Sequence, residues 1–405
     1  MTNQISFLLG SGFSIPEGLP SVTKLNQRLS KIQETEILIH SSQVSFFLNG
    51  QEDNNRYSNR DERLFLQDFL DFYSEQILDQ GEHFHYEKFY DFYSDYLYRQ
   101  KNIKEIEGFY SDFVKKHSFI DYKNCLNCIA DFNRTFNQLI AGELQKRQYF
   151  QEITFEYYPQ YNEFIKFIAS LSEENNVKIH TLNHDMFFDY IGENDNRIAG
   201  KFSDGYTLEG SPFYGNITFN YEKAGEETLH KSYKVKLPKF TDSFNSSICF
   251  YKLHGSVMTH IVYVDEKIER IKYSYGAGEF SMERYTDEES PKPYFDYLHS
   301  QVEPDFLSGT THKITRYAAD SHYINLFNHF QKNLEQSKAL IVIGYGFQDG
   351  GINDILITKF LSRGGKMIVI DPYKPNTSIL DEFGATFIKE SIVDVTMEEF
   401  GSLNL

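Results

Sequence analysis

The chain of 405 residues is 24% charged and 40% hydrophobic, which is the balance of a globular protein with roughly two or three domain-sized units. Its formal net charge of −18 argues against a protein that binds nucleic acid or an anionic membrane, because those partners require a basic face. Three cysteines are too few for a disulfide framework, and we interpret the lone Cys-x-x-Cys of Cys125 and Cys128 as two half-buried helix residues.

The apolar runs predict a cytoplasmic protein. The longest of them, residues 339–344, is far too short to span a bilayer. No basic segment precedes an apolar run at the N-terminus, which argues against a signal peptide. We therefore expect the chain to fold in a reducing compartment.

The first element is a buried strand that ends in a glycine-rich turn. Apolar residues at positions 5 and 7–9 lead directly into the turn GSGFS at 10–14. Such a turn lets backbone N–H groups approach a pyrophosphate, and the helix predicted to follow, with Ser21 as its cap, would add its positive N-terminus. Position 15 is Ile, so the pattern differs from the dinucleotide fingerprint G-x-G-x-x-G, and alone it is more often an ordinary turn.

Residues 35–150 predict an inserted helical subdomain. The segment is acidic and aromatic, has no strand alternation, and carries aromatic residues three or four apart between 86 and 97, as one face of a helix does. We interpret it as a subdomain that packs on the sheet, and a substrate-specific surface is the alternative. The remaining residues, 1–34 and 151–405, would then form a discontinuous catalytic domain.

The stretch VKIHTLNHD, residues 177–185, predicts a strand that stops at a polar cluster. Val177 and Ile179 alternate with polar residues, and a helix at about 162–171 leads into the strand. Asn183, His184 and Asp185 follow its end. The side chains at the carboxyl end of a parallel strand face the crevice where open α/β sheets bind ligands.

Three further strands end in polar or glycine clusters. After a β-rich insertion at 192–247, which we interpret as a lid or an assembly surface, the strand 248–253 ends at His254, and a hairpin of 259–265 with 270–275 follows. The strand 339–343 leads to Gly344 and Gly346. The strand 367–370 ends at Asp371, about 25 residues after Gly346, where dinucleotide folds place an acid that binds a ribose.

Strands that alternate with helices predict an α/β fold, namely a Rossmann-like parallel sheet with helices on both faces. In such a sheet the carboxyl ends of all the strands lie along one edge. The turns and polar clusters would then line a single crevice.

The same segments resemble the motifs of the sirtuin family, and in particular its bacterial branch of sirtuin-like NAD-hydrolysing domains. The first glycine turn, GSGFSIPEGLP, is similar to the family's pyrophosphate loop, and the segment TLNHD is similar to its Thr-Gln-Asn-x-Asp motif. The segment LHGS matches its Leu-His-Gly-Ser motif, and EPDFLSG resembles its Pro-Asp-x-Val-x-Phe-Gly segment. The segment GYGF stands where the family has Gly-Thr-Ser. The matches keep the family's chain order and cover roughly half of the residues, without the helical region or 192–247.

The resemblance implies NAD as the substrate and no metal. Asn183 would position the nicotinamide ribose and the attacking water, Asp185 would hold the carboxamide, and His254 would be the general base on the ribose hydroxyl or on the water. His184 is left without a role. The remaining contacts to NAD would come from the residues that hold the phosphates and the adenosine half: Gly10, Ser11, Gly12, Phe13, Ser14, Gly344, Gly346 and Asp371.

Two departures from the deacylating sirtuins favour hydrolysis. The chain has no cysteine after Cys249, so it lacks their zinc module, and Ser21 and Val22 stand where the family has an acidic-Phe-Arg segment. The resemblance then implies an NAD glycohydrolase (NADase) that depletes NAD in bacterial anti-phage defence by abortive infection. It also implies a homo-oligomer in the bacterial cytoplasm, with a separate HerA-like ATPase or an Argonaute-type partner. The alternatives are an NAD-dependent deacylase or ADP-ribosyltransferase, and a non-catalytic subunit that senses NAD or ADP-ribose.

Overall fold

The computed structural model describes residues 3–40, 43–46, 60–79, 81–117, 124–145, 155–221, 229–264, 267–273, 279–285, 295–297, 304–306, 319–403 and 405. The strands are β1 Asn3–Leu9, β2 Ile37–His40, β3 Gln43–Phe46, β4 Asn175–Thr181, β5 Phe202–Ser203, β6 Gly205–Thr207, β7 Phe213–Tyr221, β8 Leu229–Lys236, β9 Lys239–Ser243, β10 Ile248–Lys252, β11 Gly255–Val264, β12 Lys267–Lys272, β13 Glu279–Tyr285, β14 Phe295–Tyr297, β15 Pro304–Phe306, β16 Ala339–Ile343, β17 Lys366–Ile370 and β18 Thr386–Ile388. The α-helices are α1 Val22–Leu29, α2 Arg60–Phe72, α3 Tyr86–Arg99, α4 Ile103–His117, α5 Cys125–Leu144, α6 Asn162–Glu174, α7 Phe187–Asn194, α8 Ser321–Gln336, α9 Gly350–Lys359, α10 Ile379–Glu382 and α11 Met397–Gly401.

A seven-stranded parallel sheet organises the chain, in the order β18-β17-β16-β1-β4-β10-β5. From β1 the chain first extends the sheet through β4, β5 and β10, and it then returns to the other side of β1 to add β16, β17 and β18. The order therefore reverses between β1 and β16, and a reversal of this kind opens a crevice at the carboxyl ends of the strands. The predicted Rossmann-like parallel sheet is confirmed.

Helices cover both faces of this sheet, as the side chains of β1 show. Ile5, Phe7 and Leu9 pack into a core that includes α6 and the helical region, whereas Leu8 packs into a second core with α8 and α9. The strand is buried from Gln4 to Leu9, as expected for a parallel strand with both faces covered.

The described residues between 35 and 150 are mainly helical, but they also contain a hairpin. β2 and β3 pair antiparallel, and β3 lies against α5, so the prediction of a segment without strands is wrong. Each strand has only four residues, which is too short to show the alternation that distinguishes a strand from an apolar run. The predicted aromatic face is present on α3, and Cys125 and Cys128 are half-buried in α5, as predicted. No helix of the described segments has the length and hydropathy to cross a membrane.

The stretch 192–247 contributes β5 to β9, so its expected β-rich character is present. β5 nevertheless belongs to the edge of the parallel sheet, beside β10. β6 and β9 join β11, β12 and β15 in a second sheet, and β7 and β8 join β13 and β14 in a third. The predicted hairpin after β10 is formed by β11 and β12, although its expected ends at 265 and 274–275 lie outside the described residues. The boundaries of the domains stay predictions.

Candidate active site

The carboxyl edge of the sheet brings together the five strand ends that the sequence singles out. In spatial order these are Asp371 after β17, Gly344 after β16, Gly10 after β1, Asn183 after β4 and His254 after β10. Neighbouring strands lie about 4.8 Å apart, so the five ends form one continuous row. The sheet order confirms that they share an edge, while the roles of the residues stay predictions.

Two glycine turns contact each other at the switch point between β1 and β16. The Gly12 N–H donates to the Gly344 carbonyl at 2.9 Å, and the Gly10 N–H donates to the Ile343 carbonyl at 2.9 Å. A Cβ atom on Gly344 would lie 2.4 Å from the Cα of Gly12, and one on Gly10 would lie 2.5 Å from the Gly344 oxygen. The packing of the two turns therefore explains why these positions are glycine, and phosphate binding there stays a prediction.

We expect Gly344→Ala to destabilise the protein by about 2 kcal/mol, because its φ of +61° is unfavourable for alanine and the new Cβ would overlap the backbone of Gly12. The measurement is the midpoint of urea denaturation. Gly108→Ala in α4 is the control, because its Cβ would meet no atom within 4 Å and alanine favours a helix. An unchanged midpoint for Gly344→Ala would contradict the packing argument.

The helix after the first glycine turn begins directly behind Ser21, as predicted, but two single 3₁₀ turns separate it from the glycine turn. Ser11–Phe13 and Ile15–Glu17 each form a single 3₁₀ turn, and α1 starts only at Val22. The predicted Ser21 cap is confirmed, since its Oγ accepts from the Lys24 N–H at 3.2 Å. Pro16 and the positive φ of Gly18 turn the chain between the glycine turn and the helix. The positive N-terminus of α1 is thus not directly behind the turn.

Asn183 is held by the glycine turn of β1. Its Nδ2 donates to the Gly10 carbonyl at 2.9 Å and to Ser14 Oγ at 3.2 Å, and its backbone N–H donates to Thr181 Oγ1 at 3.0 Å. Both hydrogens of the amide are used on the turn, so Oδ1 is the atom with which Asn183 would contact a substrate hydroxyl or a water. The half-buried side chain is oriented before any substrate binds.

Asp185 is buried next to Asn183 and is connected to it through Ser14. Asn183 donates to the Ser14 oxygen, and the Ser14 hydroxyl contacts the carboxylate of Asp185. Asp185 Oδ1 also accepts from the Phe187 N–H at 3.0 Å, at the start of α7. Burial raises the pKa of Asp185, although the charge of Lys252 and the Phe187 N–H oppose the increase. The carboxylate thus supports the loop after β4, and its predicted contact with the carboxamide stays a prediction.

His254 lies beside the loop that carries Asn183. The Leu253 N–H donates to the Thr181 carbonyl at 3.0 Å, and the Val257 N–H donates to the His184 carbonyl at 3.0 Å, so the ends of β4 and β10 are joined on both sides of the histidine. The rings of His184 and His254 are 6.1 Å apart, and both side chains are buried. His184, which the sequence interpretation sets aside, is therefore a direct neighbour of the predicted base.

The segment that resembles Pro-Asp-x-Val-x-Phe-Gly pairs with the strand that follows this histidine. β15 pairs antiparallel with β11, with Gly255 opposite Phe306 and Ser256 opposite Asp305. The φ of Gly255 is +80°, and a Cβ atom there would lie 2.3 Å from the Asp305 carbonyl oxygen. The rest of the motif, residue 303 and residues 307–309, lies outside the described residues.

Asp371 and the second glycine turn occupy the other end of the row. The Gly344 N–H donates to the Ile370 carbonyl at 3.1 Å, which places the two strand ends side by side. Asp371 Oδ1 accepts from the Tyr373 N–H at 2.8 Å, and burial raises the pKa of Asp371 although this hydrogen bond lowers it. Gly346 is exposed. Their contacts with an adenosine stay predictions.

Two charged residues of the site were not predicted. Asp349 caps α9 and places Oδ2 3.6 Å from Nε2 of His254. Lys252 donates to the backbone carbonyl of Asp185 and to Asp189 Oδ2, the latter at 2.8 Å. The signal for Asp349 is its type, because an acid in front of a helix is a typical N-cap. Lys252 has no such signal, since a lysine at a strand end is usually exposed.

A buried ion-pair network joins this edge to the hairpin of β11 and β12. Its centre is Lys272, which is 2% exposed and lies 2.8 Å from Asp189, 2.6 Å from Glu193 and 2.6 Å from Asp204. Burial alone would lower the pKa of Lys272, but the three carboxylates raise it well above its usual value. Because Asp189 also binds Lys252, the network connects the hairpin to the carbonyl of Asp185.

Among the residues that the structure describes, no group of three or more His, Cys, Asp or Glu side chains is arranged to hold a metal ion.

Comparisons with known proteins give low similarity. No protein-family model and no curated protein matches this sequence. Among solved structures, a mutant Sir2 homologue in complex with ADP-ribose is similar at 12% identity with a TM-score of 0.40, over 100% of this chain and 95% of that one. A Sir2 homologue in complex with NAD is similar at 10% identity with a TM-score of 0.38, over 99% and 89% of the two chains. These TM-scores are too low to establish a common fold.

Proposed function

We propose that this protein is an NAD glycohydrolase that releases nicotinamide and ADP-ribose. The observation that carries the proposal is the placement of Asn183 and His254 at the ends of the neighbouring strands β4 and β10, beside the switch point of a doubly wound sheet. A dinucleotide binds across the crevice at such a point. The polar groups required at the nicotinamide ribose would then lie next to the glycine turn of β1.

The chemistry of hydrolysis suits these two side chains. When the glycosidic bond of NAD breaks, its electron pair moves onto the pyridinium ring, and nicotinamide leaves as a neutral molecule without needing an acid. The sugar carbon becomes oxocarbenium-like, a water adds to it, and the water loses a proton. Asn183 Oδ1 would orient the ribose or the water, and His254 would accept the proton.

The amino-acid sequence favours water over an acyl peptide as the acceptor of the ADP-ribosyl group. The zinc module of deacylating sirtuins requires two cysteine pairs after the histidine, and no cysteine follows Cys249. The motif resemblance further supports a role as an NAD-depleting effector of bacterial anti-phage defence. It also supports assembly as a homo-oligomer that acts with a HerA-like ATPase or an Argonaute-type protein.

We expect His254→Gln to lower kcat for nicotinamide release about 10²- to 10⁴-fold, because glutamine cannot accept a proton near neutral pH. The assay is chromatographic detection of nicotinamide from NAD in the absence of any peptide. His83→Gln is the matched control, since His83 is exposed in a segment outside the sheet. A His254→Gln rate equal to that of the parent would exclude His254 as the base.

The same assay separates the alternative functions. Turnover that depends on an added acyl-lysine peptide or a protein acceptor would indicate a deacylase or an ADP-ribosyltransferase. Tight binding of NAD or ADP-ribose without turnover, in the complete assembly with its partner, would indicate a sensing subunit. Release of nicotinamide into peptide-free buffer supports the hydrolase.

A further inference from the structure

Asp349 meets His254 although their strands are separated in the sheet by β1 and β4. Oδ2 of Asp349 lies 3.6 Å from Nε2 of His254, and the two side chains are 25% and 5% exposed. The loop from Gly344 to Asp349 must therefore cross over the carboxyl ends of the intervening strands. The contact places a carboxylate directly beside the predicted base.

The position of Asp349 is held by several hydrogen bonds. Its Oδ1 accepts from the Ile352 N–H at 3.2 Å, which caps α9, and its own N–H donates to Tyr345 Oη at 3.2 Å. The Tyr345 hydroxyl in turn contacts Asn353 Oδ1 at 3.0 Å. Phe347 in the same loop has a φ of +57°, a conformation that persists in a bulky residue only when the surroundings impose it. With Oδ1 used by the helix, Oδ2 is the oxygen that faces His254.

We propose that Asp349 is the positioning residue of His254 in the hydrolysis of NAD, an inference that rests on the function proposed above. A carboxylate beside Nε2 retains the hydrogen on that nitrogen, and Nδ1 is then the atom that accepts the proton of the attacking water. The resulting imidazolium is balanced by the charge of Asp349. At 3.6 Å the two atoms are just beyond hydrogen-bond distance, and contacts of this kind shorten in the complex with substrate.

Other titratable groups also lie close to His254. On its own strand and on the segments that pack against it, these groups include Cys249, Tyr251, His184, Asp185, the ion pair of Lys252 with Asp189 and the ion pair of Asp305 with Arg270. Asp349 is the carboxylate that lies 3.6 Å from the His254 ring, so its removal changes the charge beside the ring directly.

The test is Asp349→Asn, because asparagine caps a helix as well as aspartate does but carries no charge. We expect kcat to fall about 10- to 100-fold with little change in KM. This decrease in kcat is smaller than the one expected when the base itself is removed. The carboxylate favours the protonated imidazole, so the acid limb of the pH–rate profile should move to lower pH by about one unit in the variant. Asp354→Asn, an exposed site on the same helix, is the control and should behave as the parent does.

Nuclear magnetic resonance provides a readout that does not need turnover. The titration midpoint of the His254 ring, assigned by its loss in His254→Gln, should decrease by about one pH unit in Asp349→Asn. Equal midpoints in the parent and the variant overturn the proposal, as does an increase in KM with an unchanged kcat and pH profile, which would make Asp349 a substrate contact. If the parent releases no nicotinamide, the proposed function fails, and the NMR titration still decides the pairing of Asp349 and His254.

Discussion

Asn183→Ala is expected to reduce kcat for nicotinamide release by about 10²- to 10³-fold, the cost of removing one pre-oriented polar group beside a developing charge. Asn183 is oriented by Gly10 and Ser14, and its Oδ1 is the group that would contact the ribose or the water. Alanine removes that contact and leaves the backbone N–H bond to Thr181 in place. The measurement is kcat and KM for NAD in peptide-free buffer, together with the urea midpoint.

Two further variants make this result specific. Asn194→Ala, at the exposed end of α7, removes an amide that contacts only the Tyr190 carbonyl among the hydrogen bonds observed, and it should retain the parent's kcat. Asn183→Asp keeps the shape but replaces the Nδ2 donor by an oxygen that faces the Gly10 carbonyl, so it should also be impaired. Parent-like kcat in both Asn183 variants would remove this residue from the active site.

Lys272→Met is expected to destabilise the fold by about 3 kcal/mol, because removing the cation of a buried ion-pair network leaves its carboxylates without compensation. The three partners are Asp189, Glu193 and Asp204. Asp189 keeps Lys252, and the Glu193 side chain is 37% exposed and therefore screened by water, so the loss lies at the lower end of the range for buried pairs. The urea midpoint, followed by circular dichroism, measures the change.

The control for Lys272→Met is Lys267→Met on the same strand. Lys267 is exposed, and its replacement should shift the unfolding free energy by less than about 0.5 kcal/mol.

The dependence of stability on pH gives a second check. Burial alone would raise the pKa of Asp189, but Lys252 and Lys272 outweigh it, so the pKa lies below its usual value. A carboxyl group whose pKa is lowered by folding stabilises the fold at every pH above its pKa in the unfolded chain, which is about 3.9. This stabilisation is lost as the pH falls through the lower pKa of the folded state. The difference in unfolding free energy between the parent and Lys272→Met should therefore become smaller below about pH 4. A difference that stays constant with pH would contradict the ionic explanation.

Local sequence patterns were sufficient to predict five of the seven strands of the parallel sheet and the residues at their ends, whereas β5 and β18 were not predicted. The runs at 339–343 and 367–370 coincide with β16 and, to within one residue, with β17, because a short, continuous apolar run bounded by polar residues suits a strand covered on both faces. The Ser21 cap was predictable for a similar reason, since its hydrogen bond joins residues three apart. Even the shared edge of Gly10, Asn183 and His254 follows from local information, given that parallel strands all end on the same side.

Contacts between distant parts of the chain were decided only by the tertiary structure. Nothing near Asp349 in the sequence indicates that its second carboxylate oxygen meets His254, because the loop after β16 crosses two other strands to reach it. The burial of Lys272 depends on three carboxylates from α7 and from the segment between β5 and β6, and the requirement for glycine at position 344 arises from the backbone of Gly12. Local patterns thus determined which residues end the strands, whereas long-range packing and charge pairing decided which of them became neighbours.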